Sequence, residues 1–177
     1  MTWTRRRVLQ VGGALAGGLL AGVSAAGETA RRISLQNLHT GEKLDVEFYR
    51  GDGYLPEALT SIQKVLRDFR NNEQHVIDPK LMDYLVDVAH TIGVEPVFSV
   101  ISGYRSPQTN AQLHERSSGV SSHSLHMEGR AIDVRLAGVN CADLADRALA
   151  MQRGGVGYYR QSDFVHLDTG RFRTWKG

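Results

Sequence analysis

The sequence predicts one α+β domain, with a mostly antiparallel sheet and helices packed on it. Short strand-like segments lie near both ends of the chain, and two of them alternate apolar with polar residues. Between them, two longer segments repeat apolar residues at helical spacing. No internal repeat divides the chain of 177 residues. We therefore expect a single core for residues 27–177.

The first element predicted is a β-hairpin. Ile33–Leu38 and Lys43–Tyr49 have period two, and a short turn containing Gly41 separates them. The two strands are expected to cover one flank of the domain.

Two helices are predicted next. Leu55–Phe69 and Pro79–Ile92 each carry an apolar stripe at helical spacing. Asp78 precedes Pro79 as an N-cap, and Gly93 is placed to end the second helix.

The remaining elements alternate between strand and helix. A strand at Arg130–Leu136 turns Asp133 toward one face and sends Ile132, Val134 and Leu136 into the core. Its neighbours, in chain order, are a strand at Val97–Ile101, a helix at Pro107–Arg116, a helix at Ala142–Met151, and strands at Val156–Tyr159 and Phe164–Asp168. The glycines at 154, 155 and 157 lack the lysine of a phosphate loop and are interpreted as a tight turn.

Residues 1–26 have the pattern of a twin-arginine signal peptide. Thr4-Arg5-Arg6-Arg7-Val8-Leu9 precedes an apolar, glycine-rich run up to Ala26. A permanent membrane span is the weaker interpretation of this run, because it is short and rich in glycine. The pattern predicts export to the periplasm, with no stable membrane insertion after processing.

The charge balance excludes one class of partner. Without the three arginines of the signal, the 21 Lys and Arg residues fall to 18, against 19 Asp and Glu. A nearly neutral domain gives no electrostatic reason to bind nucleic acid. Cys141 is the only cysteine, so an intrachain disulfide is excluded.

Three side chains form a candidate metal site. His126 and Asp133 are separated by a loop end, a glycine and the start of a strand, and His166 follows far downstream. Two imidazoles and a carboxylate are a common ligand set for catalytic zinc. Spacing alone leaves a structural role for each residue open.

The pattern S-x-H-x-x-G-x-A-x-D at 124–133, the Tyr-Arg-Ser segment at 104–106 and the late Val165-His166 resemble the LAS metallopeptidases. This group includes zinc D-Ala-D-Ala carboxypeptidases, VanX-type dipeptidases and the YcbK-like murein endopeptidases. The YcbK-like proteins are the best match, because the tail at 154–170 is also similar to theirs. The resemblance implies an α+β peptidase fold and Zn²⁺ held by His126, Asp133 and His166.

The resemblance also implies roles around the metal. A proton-transferring carboxylate is expected at Asp163, three residues before the last histidine, or at Asp168, which shares its strand face with His166. Asp168 has the alternative role of orienting an imidazole. Arg105 is expected to stabilise the oxyanion, and Tyr104 to contact substrate. Ser124 is expected to contact substrate, with bonding to a ligand or shaping the loop as its alternative roles. The family pattern assigns no role to His123.

The function implied is hydrolysis of amide bonds in the peptide stems or cross-links of peptidoglycan, with endopeptidase favoured over carboxypeptidase. A zinc-containing cell-wall binding or scaffold domain without turnover is the alternative. A third hypothesis, weaker than both, makes Cys141 a nucleophile at the start of a helix. Oligomeric state is left open by the sequence.

Overall fold

The computed structural model describes residues 30–116 and 120–177. The proposed signal, residues 1–26, therefore lies outside the described residues. Within the described part, the chain forms eight strands, four α-helices and a 3₁₀ helix at Leu125–Glu128. The strands are β1 Arg31–Asn37, β2 Lys43–Arg50, β3 Gly53–Tyr54, β4 Val97–Ser102, β5 Ala131–Leu136, β6 Gly155–Tyr159, β7 Phe164–Asp168 and β8 Arg173–Lys176. The helices are α1 Pro56–Val65, α2 Pro79–Ile92, α3 Pro107–Arg116 and α4 Cys141–Met151.

All eight strands belong to one sheet in the order β3-β2-β1-β4-β5-β7-β6-β8. Five neighbouring pairs are antiparallel, and the pairs β1–β4 and β6–β8 are parallel. The predicted α+β class with a mostly antiparallel sheet is confirmed. Strands β5 and β7 lie side by side in the middle of the sheet, so residues far apart in sequence become neighbours there.

The N-terminal hairpin forms as predicted. Strands β1 and β2 pair antiparallel across a turn in which Gly41 has a φ of 74°. The two-residue strand β3, which the sequence pattern did not predict, extends the sheet beyond β2. The hairpin and β3 together form one end of the sheet, and β4 and β5 separate them from β7.

Helix α2 forms over the predicted residues. The Asp78 side chain accepts a hydrogen bond from the Lys80 backbone N–H, and Gly93 ends the helix with a φ of 89°. Helix α1 ends at Val65 rather than at the predicted Phe69. The Leu66 carbonyl accepts the Tyr104 N–H at 2.7 Å, so a long-range contact turns the chain away from the helix axis.

The hydrophobic core lies between the sheet and the helices. Helices α2 and α4 pack on each other. Helix α2 contacts strand β1, and helix α4 contacts strands β5, β6 and β7. As predicted, Ile132, Val134 and Leu136 of β5 enter this core, each 2% exposed or less. Asp133 lies between them in sequence and lines a cavity instead. Within the described residues, no helix has the length and hydropathy needed to cross a membrane.

Candidate metal centre

Local structure places each of the three proposed ligands. Ser124 caps the 3₁₀ helix by accepting the His126 backbone N–H, and Gly129 ends that helix with a φ of 64°. The chain then enters β5, which carries Asp133. His166 lies on β7 directly opposite Asp133 in the antiparallel register. Sheet pairing therefore joins the two halves of the site.

The three donor atoms form a compact triangle. His126 Nε2 lies 3.2 Å from His166 Nδ1 and 3.3 Å from Asp133 Oδ1, and His166 Nδ1 lies 2.9 Å from that same oxygen. Zinc ligands at about 2.0–2.1 Å in tetrahedral geometry stand roughly 3.3 Å apart. The triangle therefore fits a zinc ion bound on one side.

Oxygen acceptors fix the orientation of both imidazoles. His126 Nδ1 lies 2.7 Å from the Gly103 carbonyl oxygen, so this nitrogen carries the proton and Nε2 keeps its lone pair. His166 Nε2 lies 3.1 Å from Asp168 Oδ2, which leaves Nδ1 facing the triangle. Metal-binding histidines are typically held by such outer hydrogen bonds. The donor atoms and their supports therefore both suit a divalent cation.

Burial and the contacts within the cluster set the charge of each of its three side chains. Burial favours a higher pKa for Asp133, but His126 and His166 outweigh it and hold that pKa far below the usual range. Burial lowers the pKa of His126. Burial also acts to lower the pKa of His166, yet hydrogen bonds to Asp133 and Asp168 raise it to about 9. One carboxylate and one uncharged imidazole thus stand beside an imidazole that must lose its proton when a metal binds.

Arg105 lies beside the cluster, where the sequence analysis placed it. Its Nη2 is 3.9 Å from Asp133 Oδ2, and its Nη1 donates to Asn110 Oδ1 at 3.3 Å. The side chain is 10% exposed, and its Nε has no hydrogen-bond partner. Burial lowers the pKa of Arg105. The guanidinium is therefore held in place and still has an N–H group that makes no hydrogen bond.

A cavity of about 560 Å³ opens above the cluster. Its polar lining residues include Arg105, Ser121, His123 and Ser124. Its aromatic lining residues are Tyr159, Phe164 and Trp175. The cavity is large enough for several residues of a peptide, with the three donor atoms in its wall.

The two candidate bases lie in different surroundings. Asp168 is 0% exposed, and its carboxylate accepts hydrogen bonds from Gly155, Gly170 and Arg173 besides contacting His166. Burial favours a higher pKa, but these contacts hold the pKa of Asp168 far below normal. Asp168 is thus placed to orient His166.

Asp163 lies outside the residues that line the cavity. Its side chain is 68% exposed and pairs with Arg135 at 3.4 Å. It occupies the turn before β7 with a φ of 51°. The structure does not bring Asp163 together with the donor triangle, because the turn directs its side chain toward Arg135.

Of the two residues proposed to contact substrate, only Ser124 lies at the cavity. Tyr104 is 4% exposed, donates its hydroxyl to Glu73 Oε1 at 2.7 Å and stacks on His75. Tyr104 is not among the residues that line the cavity, so its place in the structure is that of a packing residue behind the site.

Cys141 is 4% exposed at the start of α4. Burial, followed by a hydrogen bond with Asp163, raises the pKa of its thiol to about 11. A protonated and inaccessible thiol is a poor nucleophile, so the structure argues against the Cys141 hypothesis.

Sequence reasoning missed three parts of the site. The Gly103 carbonyl and the Arg173 guanidinium support the two imidazoles, and His123 lines the cavity. A backbone carbonyl leaves no signature in a sequence. Arg173 alternates with Trp175 on β8, and this Arg-x-Trp pattern was the available signal.

This α+β domain carries a buried triangle of donor atoms from His126, Asp133 and His166 at the wall of an open cavity. Such an arrangement is that of a metallopeptidase. Residues 24–175 match the family model Peptidase_M15_2, described as peptidoglycan L,D-endopeptidase MepK. The chain belongs to this peptidase family, which confirms the resemblance to murein endopeptidases.

Two curated relatives agree with that assignment. The peptidoglycan L,D-endopeptidase MepK of Escherichia coli (strain K12) is 40% identical over 175 residues, covering 97% of this chain and 96% of that protein. The probable peptidoglycan L,D-endopeptidase MepK of Haemophilus influenzae is 40% identical over 148 residues, covering 83% and 80%.

Proposed function

We propose that this protein is a zinc-dependent peptidoglycan L,D-endopeptidase. One observation carries the proposal: His126, Asp133 and His166 present three donor atoms 2.9–3.3 Å apart at the wall of a peptide-sized cavity. The relatives named as L,D-endopeptidases support peptidoglycan as substrate and an endopeptidase rather than a carboxypeptidase reaction.

Zinc in this site would supply a Lewis acid that activates water for attack on an amide carbonyl. His126 Nε2, His166 Nδ1 and Asp133 Oδ1 would hold it. The Gly103 carbonyl and the Asp168 carboxylate keep the two imidazoles in the required orientation.

Arg105 would stabilise the charge that develops on the carbonyl oxygen of the substrate. Its guanidinium is held by Asn110, lies next to Asp133 and faces the cavity. A donor fixed before the reaction needs no reorganisation when the oxyanion forms, and its effect is larger because burial lowers the local dielectric. Ser124 and the aromatic residues that line the cavity would help to position the peptide.

Proton transfer needs a group that reaches the cavity. Asp168 is occupied by its hydrogen bonds, and Asp163 pairs with Arg135 outside the cavity. His123 is exposed and lines the cavity, and its Nδ1 lies 3.1 Å from Ser122 Oγ, which leaves Nε2 available. Imidazole is the commonest general acid–base group in enzymes. We infer that His123 accepts the proton of the attacking water and returns it to the leaving amine.

The test uses peptidoglycan fragments with a defined L,D cross-link, incubated with metal-loaded protein. The parent is compared with a chelated sample, His166→Ala and His90→Ala; His90 is an exposed histidine of α2 that does not line the cavity. Mass spectrometry of the products should show cleavage of the L,D bond by the parent and His90→Ala only. Zinc binding and wall binding without any cleavage would instead support the non-catalytic scaffold.

The proton-transfer assignment has its own test. His123→Gln should lower turnover by about 10²–10⁴-fold, the usual contribution of general acid–base catalysis, while Asp163→Asn should leave turnover near that of the parent. The reverse result would restore the sequence-based assignment of Asp163.

Periplasmic location by the twin-arginine route is also proposed. Arg5→Lys combined with Arg6→Lys should retain the protein in the cytoplasm, since this route reads the arginine pair rather than its charge. Fractionation followed by immunoblotting detects the change. Normal export of the double variant would exclude this route.

A further inference from the structure

We propose that Arg173 is a positioning residue for the metal site. We also propose that position 155 must be a glycine because a larger side chain there would overlap the Arg173 guanidinium. Arg173 acts through Asp168 on the proposed ligand His166. The inference rests on the metal site of the proposed function, and it assigns roles to the C-terminal strand and to a glycine motif that the proposed reaction leaves unexplained.

A continuous chain of contacts joins Arg173 to the donor triangle. Its Nη1 and Nη2 donate to Asp168 Oδ1 and Oδ2 at 3.0 and 2.7 Å. Asp168 Oδ2 lies 3.1 Å from His166 Nε2, and His166 Nδ1 is a member of the triangle. The position of Arg173 is therefore transmitted to a ligand atom through two hydrogen-bonded steps.

The geometry at Asp168 requires an arginine. Two parallel N–H···O bonds fix the plane of the carboxylate as well as its position. The backbone N–H groups of Gly155 and Gly170 both donate to Oδ1, at 3.0 and 2.8 Å, so Arg173 is the side chain that supports Oδ2 besides His166. A lysine would supply a point charge without the planar pair of donors.

Glycines on β6 provide the room for this arrangement. A Cβ atom on Gly155 would overlap the Asp168 carboxylate and the Arg173 guanidinium. A Cβ atom on Gly157 would lie 2.6 Å from Trp175 Nε1. Neither residue has positive φ, and both lie within β6, so the tight turn predicted for this motif is limited to the residues before the strand, which include Gly154. Both glycines are needed because side chains of β8 cross β6 at close range.

Trp175 completes the support from the same strand. Its ring centroid lies 5.1 Å from that of His166, and its Nε1 donates to the Tyr159 hydroxyl at 3.0 Å. The Arg173 guanidinium lies 5.1 Å from the Trp175 ring. Strand β8 thus supports His166 both by a hydrogen-bonded chain and by ring packing.

The experiment measures zinc affinity by competition with a chromogenic chelator, without reference to catalysis. The variants are Arg173→Gln, Arg173→Lys, Asp168→Asn and the double variant Arg173→Gln/Asp168→Asn. Arg171→Gln, an exposed arginine on the same segment, is the matched control. We expect Asp168→Asn to weaken zinc binding by about 10–100-fold, the usual effect of losing an outer partner of a ligand, and Arg173→Gln to weaken it by up to that factor. Lysine should not restore it, and Gly155→Ala should resemble Arg173→Gln.

The double variant separates positioning from a general structural role. If Arg173 acts through Asp168, the double variant should bind zinc about as weakly as Asp168→Asn alone. Circular dichroism of the metal-free variants verifies their folding. The inference would be overturned if Arg173→Gln bound zinc as tightly as the parent. It would also be overturned if the loss of zinc affinity in the double variant equalled the product of the losses in the two single variants. A parent protein that binds no zinc would instead refute the proposed metal site itself.

Discussion

Replacing Asp68 with asparagine tests how the segment that carries Arg105 is held. Asp68 is 0% exposed and lies in the irregular chain after α1. Its carboxylate accepts the Ser106 N–H at 3.0 Å and the Arg70 N–H at 3.1 Å, and the Thr109 side chain also bonds to it. Asp68 therefore fixes the residue that follows Arg105 and the start of α3.

The magnitude follows from the loss of an acceptor. Asparagine keeps one carbonyl oxygen and turns an NH₂ group toward a backbone N–H, which leaves a buried donor without a partner. Such a donor costs about 1–3 kcal/mol of stability. Since 1 kcal/mol shifts the midpoint of a domain of this size by about 2–4 °C, we expect Asp68→Asn to melt about 2–12 °C lower at neutral pH.

The dependence on pH gives a second measurement. Burial favours a higher pKa for Asp68, but its hydrogen bonds from Thr109, Ser106 and Arg70 lower the pKa below the usual value of an aspartate. The Asp68 carboxylate therefore contributes its full stabilisation of the fold above the pKa that Asp68 has in the unfolded chain. This stabilisation is lost as the pH falls through the pKa that Asp68 has in the folded protein. The difference in midpoint between parent and variant should shrink below about pH 4.

Thermal melting of parent, Asp68→Asn and Asp52→Asn across this pH range is the assay. Asp52 lies exposed in a turn beside β3, so its substitution should change little at any pH. Equal midpoints for parent and Asp68→Asn at neutral pH, or a difference that does not vary with pH, would refute the reasoning.

Three further outcomes are expected. Arg105→Gln should lower turnover by about 10²–10³-fold on cross-linked peptidoglycan fragments while zinc affinity stays close to that of the parent; an equal loss in zinc affinity would argue against an oxyanion role. Gly103→Ala should cost about 1–3 kcal/mol in denaturant unfolding, because the new Cβ would lie 2.5 Å from the Leu66 carbonyl oxygen; an unchanged midpoint would contradict this. Cys141, buried and with its thiol pKa raised to about 11, should resist a maleimide reagent in the folded protein, as mass spectrometry would show.

Elements with local signals were predictable from the sequence. Helix α2 has its cap at Asp78 and its stop at Gly93, and both act within one turn of the helix. The hairpin β1–β2 similarly depends on alternation and a short turn. The sequence predicted neither the end of helix α1 at Val65 nor strand β8, because both depend on long-range contacts. The Leu66 carbonyl accepts the Tyr104 N–H, and β8 pairs in parallel with β6.

The ligand triangle was predicted through the resemblance to the metallopeptidases. The motif at 124–133 covers His126 and Asp133, and the late Val165-His166 supplies the third ligand, whereas the spacing of these residues alone left a structural role open. The roles of the aspartates could not be assigned in this way. Asp168 is held by Arg173 and Gly155, and Asp163 is drawn to Arg135, and each of these partners comes from another strand.

The sequence by itself determined the fold class through local periodicity. Its motifs, through their resemblance to a known family, also indicated the peptidase family and the residues that form the donor triangle. Only the tertiary structure decided which side chains support that triangle. Sheet pairing places Asp133 opposite His166, and the glycines of β6 admit Arg173 and Trp175 from β8. Hydrogen bonds at these positions depend on distances of a few ångströms between strands remote in sequence, and no local pattern specifies such distances.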